Sequence, residues 1–319
     1  MLIDTHGHVS FYAFKDDADA VLQRTLEGDT WVVMPGTQFS TSKRAVELAE
    51  KYDQGVYAAI GLHPIHLTEN RRVDELETQS EILQQVQHEK SWMTFQTKGE
   101  EFDYAKYKEL GQSKKVVAVG ECGLDYYWEP KGKEKREAQR VKQKSALALQ
   151  VKLAGELGLP VILHCRKAHE DLIEFLDTRY KIQDTRLRGV VHCYTGDLKQ
   201  AEQFYGLGLY FGFNGLIFKH VPALPDPKEI IAALPLERIV LETDSPYLTP
   251  AIAGTVPATL ARRSLEEKRD EGGPHDERNE PLFVKYVAEE IARIKGISLE
   301  EVARVTTQNA KDLFSLDTK

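Results

Sequence analysis

Short apolar runs alternate with longer amphipathic stretches along the chain. Eight of the runs have the length and composition of buried β-strands, namely MLID, TWVVMP, GVYAAIG, KVVAVGE, PVILHC, RGVVHC, LYFGFN and RIVLETD. Helical patterns lie between them. The pattern STSKRAVELAEKY begins with Ser40 or Thr41 as an N-cap, and the long pattern GKEKREAQRVKQKSALALQVKLAGELG ends at Gly158, before Pro160. This alternation predicts parallel strands joined by crossover helices.

Eight strand–helix repeats in 319 residues favour an α/β fold of the closed (β/α)8 TIM barrel type over an open doubly wound sheet. The strand–helix alternation continues along the chain with no separate block of elements that could form a second domain, so residues 1–319 are predicted to form a single domain. Residues 66–114 and 251–277 exceed normal connection lengths and are predicted insertions. The second insertion follows the last strand, and we interpret it either as a lid or substrate-selecting loop or as a solvated insertion.

The composition narrows the class of protein. Hydrophobic residues at 41% and charged residues at 29% are typical of a globular protein with a substantial core. The net charge of −8 gives no general attraction to nucleic acid, so a phosphate-bearing substrate must be held locally. Three cysteines are too few for a disulfide framework, and no apolar run approaches the length of a membrane span. We therefore expect a cytoplasmic protein with no membrane partner and no obligate protein partner.

Ionisable residues gather at the carboxyl ends of the predicted strands. His6 and His8 alternate after the first strand, so their imidazoles project to the same side, about 7 Å apart. Since all strand ends of a parallel barrel converge on one rim, distant residues become neighbours there. Seven ionisable residues stand at these ends: His6, His8, His63, Glu121, His164, His192 and Asp244. Burying so many unpaired ionisable groups is costly, and a bound cation removes that cost by making them ligands.

The types of these side chains limit the metal. Four imidazoles and two carboxylates suit Zn²⁺, Mn²⁺ or Co²⁺ better than Mg²⁺, which favours oxygen ligands. Six protein ligands are too many for one catalytic ion with an open position. Two ions fit the count, and Glu121, from a middle strand, could bridge them. The expected cofactor is therefore a pair of divalent ions, with Zn, Mn or Mg as candidates.

Other residues near these strand ends have less direct interpretations. Cys122, Cys165 and Cys193 each follow a candidate ligand, so strand alternation predicts that they point away from the site and pack against helices. The alternative, thiolate ligands, requires the strands to have ended already. Asp4 lies one layer deeper than His6 and is expected to orient a ligand histidine. Arg278 and Glu280 are expected to anchor the chain after the second insertion.

The same strand ends carry motifs that resemble a known family. In order, DTHGH, GLHP, GECGLDYY, PVILHCR, VVHCYTG, LETDSPYLTP and RNEP are similar to the motifs of the TatD family of metal-dependent hydrolases, within the amidohydrolase-like superfamily. The likeness extends from residue 1 to NAKDLF near residue 314. The resemblance implies a distorted TIM barrel with a dinuclear site and, as in several members, nuclease or phosphoesterase activity on DNA. The two predicted insertions are longer than is typical of the family.

The resemblance also implies roles for individual residues. His6, His8 and Asp244 look like ligands of one ion, and His164 and His192 like ligands of the other. Glu121 looks like the bridging ligand. His63 and Arg166 are similar to positions that face the substrate.

These roles predict a mechanism for a deoxyribonuclease or phosphodiesterase. Two metal ions would activate a water, and Asp244 would accept its proton and pass it to the leaving group. Arg166 would hold phosphate oxygens of DNA or of a small phosphodiester, or else pair with Asp125. The alternatives are amidohydrolase-type cleavage of a small amide, ester or lactone, and a non-catalytic binding module that keeps its metals for stability.

Overall fold

The computed structural model describes residues 1–67, 99–183, 188–250 and 278–316. Eight parallel strands follow one another in the order β1 to β8 and curl into a nearly closed barrel, which confirms the predicted (β/α)8 fold. All eight predicted strands are present. Their bounds are β1 Leu2–Asp4, β2 Thr30–Pro35, β3 Val56–Ile60, β4 Val116–Asp125, β5 Val161–Arg166, β6 Gly189–Val191, β7 Tyr210–Phe213 and β8 Ile239–Leu241.

The barrel closes between β8 and β1 mainly through the residues that follow these strands. The amide of Thr5 donates to the carbonyl of Leu241 (2.9 Å), and that of Asp244 donates to the carbonyl of His6 (2.8 Å). Gly7 and Ser245 form a single parallel bridge. The closing seam therefore runs through the segments that carry His6, His8 and Asp244.

Helices cover the outside of the barrel. Their bounds are α1 Ala18–Glu27, α2 Phe39–Ala49, α3 Tyr104–Leu110, α4 Lys133–Leu157, α5 His169–Gln183, α6 Leu198–Gly206, α7 Pro227–Ala233, α8 Val284–Lys295 and α9 Leu299–Phe314. The predicted end of α4 is confirmed, because Gly158 caps it at a φ of 66°. The predicted start of α2, with Ser40 or Thr41 as its N-cap, is two or three residues too late. Its N-cap is Gln38, whose amide donates to the Thr41 hydroxyl (3.0 Å).

The predicted insertions lie largely outside the described residues. Of residues 66–114, the structure describes 66–67 and 99–114, which include α3, and it describes none of 251–277. The chain that follows the second insertion is anchored by ion pairs, as expected. Arg278 binds Asp17 (2.6 Å), and Glu280 binds Arg24 (2.6 Å).

Two apolar layers hold the barrel. Side chains such as Val33, Ile162 and Val240 fill its interior, and a larger layer packs between strands and helices. Leu313 and Phe314 of α9 join the interior layer, and Thr307 of the same helix donates to the carbonyl of Met1 (3.1 Å) at the start of β1. Helix α9 therefore covers the amino-terminal end of the barrel and leaves the other rim for the site. Within the described parts of the chain, no helix is both long and apolar enough to cross a bilayer.

Candidate metal centre

Glu121 lies at the centre of the carboxyl-terminal rim, and its two carboxylate oxygens face different groups of histidines. Oε2 lies 3.4 Å from Nε2 of His6 and 3.8 Å from Nε2 of His8. Oε1 lies 2.9 Å from Nδ1 of His164 and 3.5 Å from Nε2 of His192. A carboxylate that presents one oxygen to each of two imidazole groups has the arrangement of a bridging ligand.

The first group is built around the imidazoles of His6 and His8. Nε2 of His6 and Nε2 of His8 are 3.1 Å apart, and Oδ1 of Asp244 lies 3.4 Å from His8 and 3.8 Å from His6. A tetrahedral Zn²⁺ with bonds of about 2.0–2.2 Å separates its ligand atoms by about 3.3–3.6 Å. The donor atoms of His6, His8 and Glu121 therefore suit a single ion in type and come close to this spacing, and Asp244 adds a carboxylate oxygen within 3.8 Å of both imidazoles.

The second group is more open. His63, Glu121 and His164 bring ligand atoms within 4.8 Å of one another, and so do His6, His192 and Asp244. The His192 ring stacks on His6 with centroids 3.6 Å apart, so it lies between the two groups. The sequence predicted that these side chains would meet, and the structure brings all six candidate ligands to one place.

Three of the candidate ligands are held through their second ring nitrogen. Nδ1 of His8 donates to the carbonyl of Pro35 (3.0 Å). Nε2 of His164 lies 3.1 Å from Oδ2 of Asp125, and Nδ1 of His192 lies 3.1 Å from Oε2 of Glu242. Each contact keeps a proton on the outer nitrogen and leaves the inner one free to coordinate a metal.

Sequence reasoning missed the carboxylate partners in this role. The sequence predicts Asp125 only as a partner for Arg166, and it gives Glu242 no role. Strand alternation offered a signal, because Glu242 precedes Asp244 by two residues and Asp125 follows Glu121 by four. Strand β4 continues to Asp125, beyond its predicted end at Glu121, and so keeps both carboxylates on the same face of the sheet.

His63 differs from the other histidines of the rim. Its Nδ1 accepts a hydrogen bond from the amide of Ile65 (3.1 Å), and burial lowers its pKa, so the ring is neutral. The remaining proton therefore lies on Nε2, 3.4 Å from Oε1 of Glu121. In this tautomer Nε2 of His63 is a hydrogen-bond donor.

The cluster perturbs the protonation of its own members. Burial and the neighbouring His192 lower the pKa of His6 to about 4. Against the effect of burial, hydrogen bonds to Asp125 and Glu121 raise the pKa of His164 to about 9. Likewise, although burial opposes it, the charges of Glu242 and Glu121 raise the pKa of His192 to about 10. Without metal, His164 and His192 are therefore cations near neutral pH.

The histidines of the cluster lower the pKa values of its carboxylates. Burial acts against ionisation of Glu121, but the surrounding histidines hold its pKa well below the ordinary value. The pKa of Asp244 is also lowered despite burial, chiefly by its hydrogen bond to His8. Both side chains are therefore ionised and available as ligands.

Asp4 acts on the backbone. Its Oδ1 accepts hydrogen bonds from the amides of His6 (3.1 Å) and Thr243 (2.9 Å), and its Oδ2 accepts one from the Thr243 hydroxyl (2.6 Å). Burial raises its pKa to about 7. The prediction that Asp4 orients a ligand histidine is met through the main chain of His6, not through its imidazole.

The three cysteines do not behave alike. Cys122 and Cys165 are buried in the layer between strands and helices, as alternation predicts. The prediction is wrong for Cys193, because β6 ends at Val191 and the chain has already turned, with a φ of 44° at Cys193. Its amide donates to Oε2 of Glu242 (3.0 Å), so this residue belongs to the surroundings of the centre.

Arg166 lies at the edge of the rim. Its guanidinium carbon is 3.8 Å from the ring centroid of Tyr127. The alternative partner, Asp125, is bound instead to His164 (3.1 Å). Arg166 is exposed, so its charge remains accessible from solvent.

A (β/α)8 barrel with a buried cluster of imidazoles and carboxylates at its carboxyl-terminal rim defines the class of metal-dependent hydrolases. The chain belongs to the TatD related DNase family, whose sequence profile matches residues 3–315.

Similar proteins cover the whole chain. The metal-dependent hydrolase YabD of Bacillus subtilis is 34% identical over 319 residues, which span 99% of this chain and all of YabD. The 3'-5' ssDNA/RNA exonuclease TatD of Erwinia tasmaniensis is 30% identical over 317 residues, with 99% and 100% covered. The crystal structure of YjjV, a TatD homologue from Escherichia coli K12, superimposes with a TM-score of 0.70, 29% identity and 98% of each chain covered.

Proposed function

We propose that this protein is a nuclease that hydrolyses phosphodiester bonds with a pair of divalent metal ions. The observation that carries the proposal is the two-sided environment of Glu121, whose oxygens face separate groups of imidazoles 2.9–3.8 Å away. A relative that is 30% identical over its full length is named a ssDNA/RNA exonuclease, which supports DNA or another phosphodiester as the substrate.

In this proposal the ligands divide between two ions. His6, His8 and Asp244 would hold one ion, and His164 and His192 would hold the other. Glu121 would be a ligand of both. Divalent ions at these positions would lower the pKa of a water from its bulk value toward about 7 and polarise the phosphoryl oxygen.

The protein's own groups then move the proton and position the substrate. The Asp244 side chain is 16% exposed and the Glu121 side chain 5%, so Asp244 is the more accessible carboxylate of the first group. In this proposal it accepts the proton of the attacking water and returns it to the leaving oxygen. The Nε2 proton of His63 and the guanidinium of Arg166 are donors for the non-bridging oxygens of the phosphate.

We also propose that the protein works in the cytoplasm and without an obligate protein partner. The three cysteines are free, which suits a reducing compartment. The candidate ligands all come from this one chain, so no second subunit is needed to complete the centre.

The test is metal replacement followed by cleavage of defined substrates. Protein stripped by a chelator and dialysed should release no product from end-labelled single-stranded DNA, and adding back Zn²⁺, Mn²⁺ or Mg²⁺ should restore cleavage with at least one ion. An N-acyl amino acid serves as the control substrate. Metal-restored cleavage of the amide but of no phosphodiester would contradict the nuclease proposal.

Metal binding is expected to release protons. Since the pKa values of His164 and His192 are about 9 and about 10, both imidazoles are protonated at pH 7 and must each lose a proton to coordinate an ion. Affinity of the second site should therefore rise with pH from 7 to about 9, with about two protons released per ion near pH 7. Calorimetric titration in two buffers of different ionisation enthalpy measures this number. Affinity that does not change with pH would contradict the assignment of these two ligands.

A further inference from the structure

An exposed group of aromatic and basic side chains lies beside the candidate centre, at the ends of β4 and β5. We call it the aromatic platform; it consists of Tyr127, Trp128, Arg166 and Lys167. Tyr127 is 42% and Trp128 46% exposed, although aromatic side chains are costly to leave in water. Their rings meet edge to face with centroids 4.7 Å apart. Exposed aromatic rings grouped at the mouth of a site indicate a binding surface.

Basic groups surround these rings. The Arg166 guanidinium lies 3.8 Å and the Lys167 ammonium 4.8 Å from the centroid of Tyr127. Residues 129–140 add five basic and three acidic side chains. Lys131, Lys133, Lys135 and Arg136 of that segment are exposed. A chain with a net charge of −8 therefore presents a local excess of positive charge next to the platform.

The platform is joined directly to the centre. Oδ1 of Asp125 accepts a hydrogen bond from the amide of Tyr127 (2.9 Å), and Oδ2 of the same carboxylate holds Nε2 of His164 (3.1 Å). The amide of Tyr126 donates to the carbonyl of Arg166 (2.9 Å), which ties the two strand ends together. The platform therefore has a fixed position relative to the candidate ligand His164.

We propose that the aromatic platform binds a nucleotide of a single strand next to the bond that is cleaved. The base stacks on the indole of Trp128, and the adjoining phosphate pairs with Arg166 and Lys167. A single strand fits this surface because its bases are free to stack on a side chain, whereas those of a duplex are already stacked on one another. This inference rests on the proposed nuclease function and adds the surface that positions the strand for cleavage.

The experiment compares Trp128→Ala with Tyr205→Ala, a matched control. Tyr205 is equally exposed (45%) and lies 5.7 Å from the guanidinium of Arg238, but it precedes β7 and so lies toward the opposite end of the barrel. Binding of a cleavage-resistant phosphorothioate oligonucleotide to the metal-loaded protein is measured by fluorescence anisotropy. Trp128→Ala should raise Kd about tenfold, Trp128→Phe should recover most of the loss, and Tyr205→Ala should bind as the wild type does.

Cleavage rates distinguish a loss of base stacking in Trp128→Ala from a general structural effect of the substitution. The loss in kcat/KM caused by Trp128→Ala should be about tenfold larger on a single-stranded oligonucleotide than on bis-p-nitrophenyl phosphate, which has no neighbouring base. Equal losses on both substrates would overturn the platform, as would a Trp128→Ala protein that binds the oligonucleotide with the wild-type Kd. An equal Kd increase on duplex DNA would overturn its preference for single strands.

The proposed function and the platform fail in different ways. If the wild type binds single strands through Trp128 but cleaves none with any metal, the platform stands and the nuclease proposal fails. If the wild type cleaves DNA and Trp128→Ala cleaves it equally well, the nuclease proposal stands and the platform fails.

Discussion

Replacing Glu121 with alanine is expected to abolish hydrolysis and to remove both metal ions. Its two oxygens are the only carboxylate oxygens among the described residues that lie within 4 Å of both histidine groups, at 3.4 Å from His6 and 2.9 Å from His164. Without them, the imidazoles surround a space that lacks the charge to hold two cations together. We expect kcat/KM to fall by roughly 10³-fold or more, since metal-activated water supplies most of the chemistry. Elemental analysis of the purified variant and a cleavage assay with added metal measure the two effects.

Glu109→Ala is the control for this substitution. Glu109 is an exposed glutamate on α3, so its loss should change neither metal content nor turnover. A Glu121→Ala protein that still cleaves DNA in metal-defined buffer would rule out the bridging assignment. A Glu121→Ala protein that keeps one equivalent of metal but has no activity would show that one ligand group binds its ion without Glu121. In that case the loss of Glu121 would mainly affect binding of the second ion.

Gly123→Ala is expected to destabilise the protein by roughly 4 kcal/mol or more, which is exceptional for one methyl group. A Cβ at this position would lie 1.9 Å from the carbonyl oxygen of His164, and the φ of 151° is one that other residues rarely adopt. Strands β4 and β5 pair here, with Gly123 opposite His164, so relief of the clash requires the strands to separate. Activity should fall with stability, because the same pairing positions His164 and Asp125. The midpoint of urea unfolding checks the prediction.

Gly132→Ala distinguishes the clash from the backbone strain. Gly132 also has a positive φ, of 100°, but a Cβ there would meet nothing within 4 Å. Gly132→Ala should lower the free energy of unfolding by about 1–2 kcal/mol. If the two variants unfold at the same urea concentration, the close approach of β4 to β5 is not what requires glycine at position 123.

The fold was predictable from the sequence because a parallel barrel repeats one simple pattern. Each buried strand is a short apolar run, and each is followed by polar residues that must lie on the carboxyl-terminal rim. His6, Glu121 and Asp244 are therefore brought together by topology alone, although more than 230 residues separate the first from the last.

The surroundings of the centre were less predictable because they depend on where each strand ends. The predicted strand KVVAVGE ends at Glu121, but β4 continues to Asp125, and Gly123 permits its close pairing with β5. The opposite happens after Val191, where β6 ends early and Cys193 turns toward Glu242. Such ends are set by contacts between strands, which periodicity within one segment does not report.

The tautomers of the histidines could not be predicted from the sequence either. Whether an imidazole coordinates or donates depends on the partner of its second nitrogen, which is Pro35 for His8 and Ile65 for His63. These partners are backbone groups, and any residue type supplies them. Their side-chain identity therefore carried no signal.

The seam between β8 and β1 gives the order in which the centre can be assembled during synthesis. His6 and His8 are synthesised more than 230 residues before Asp244, whose amide pairs with His6, and before Ser245, which pairs with Gly7. Until then, a growing chain has neither a closed barrel nor a complete ligand set. The segment after the last strand therefore closes the barrel and completes the set of candidate ligands in the same step. A fragment that ends before this segment would have neither the closed barrel nor the complete ligand set.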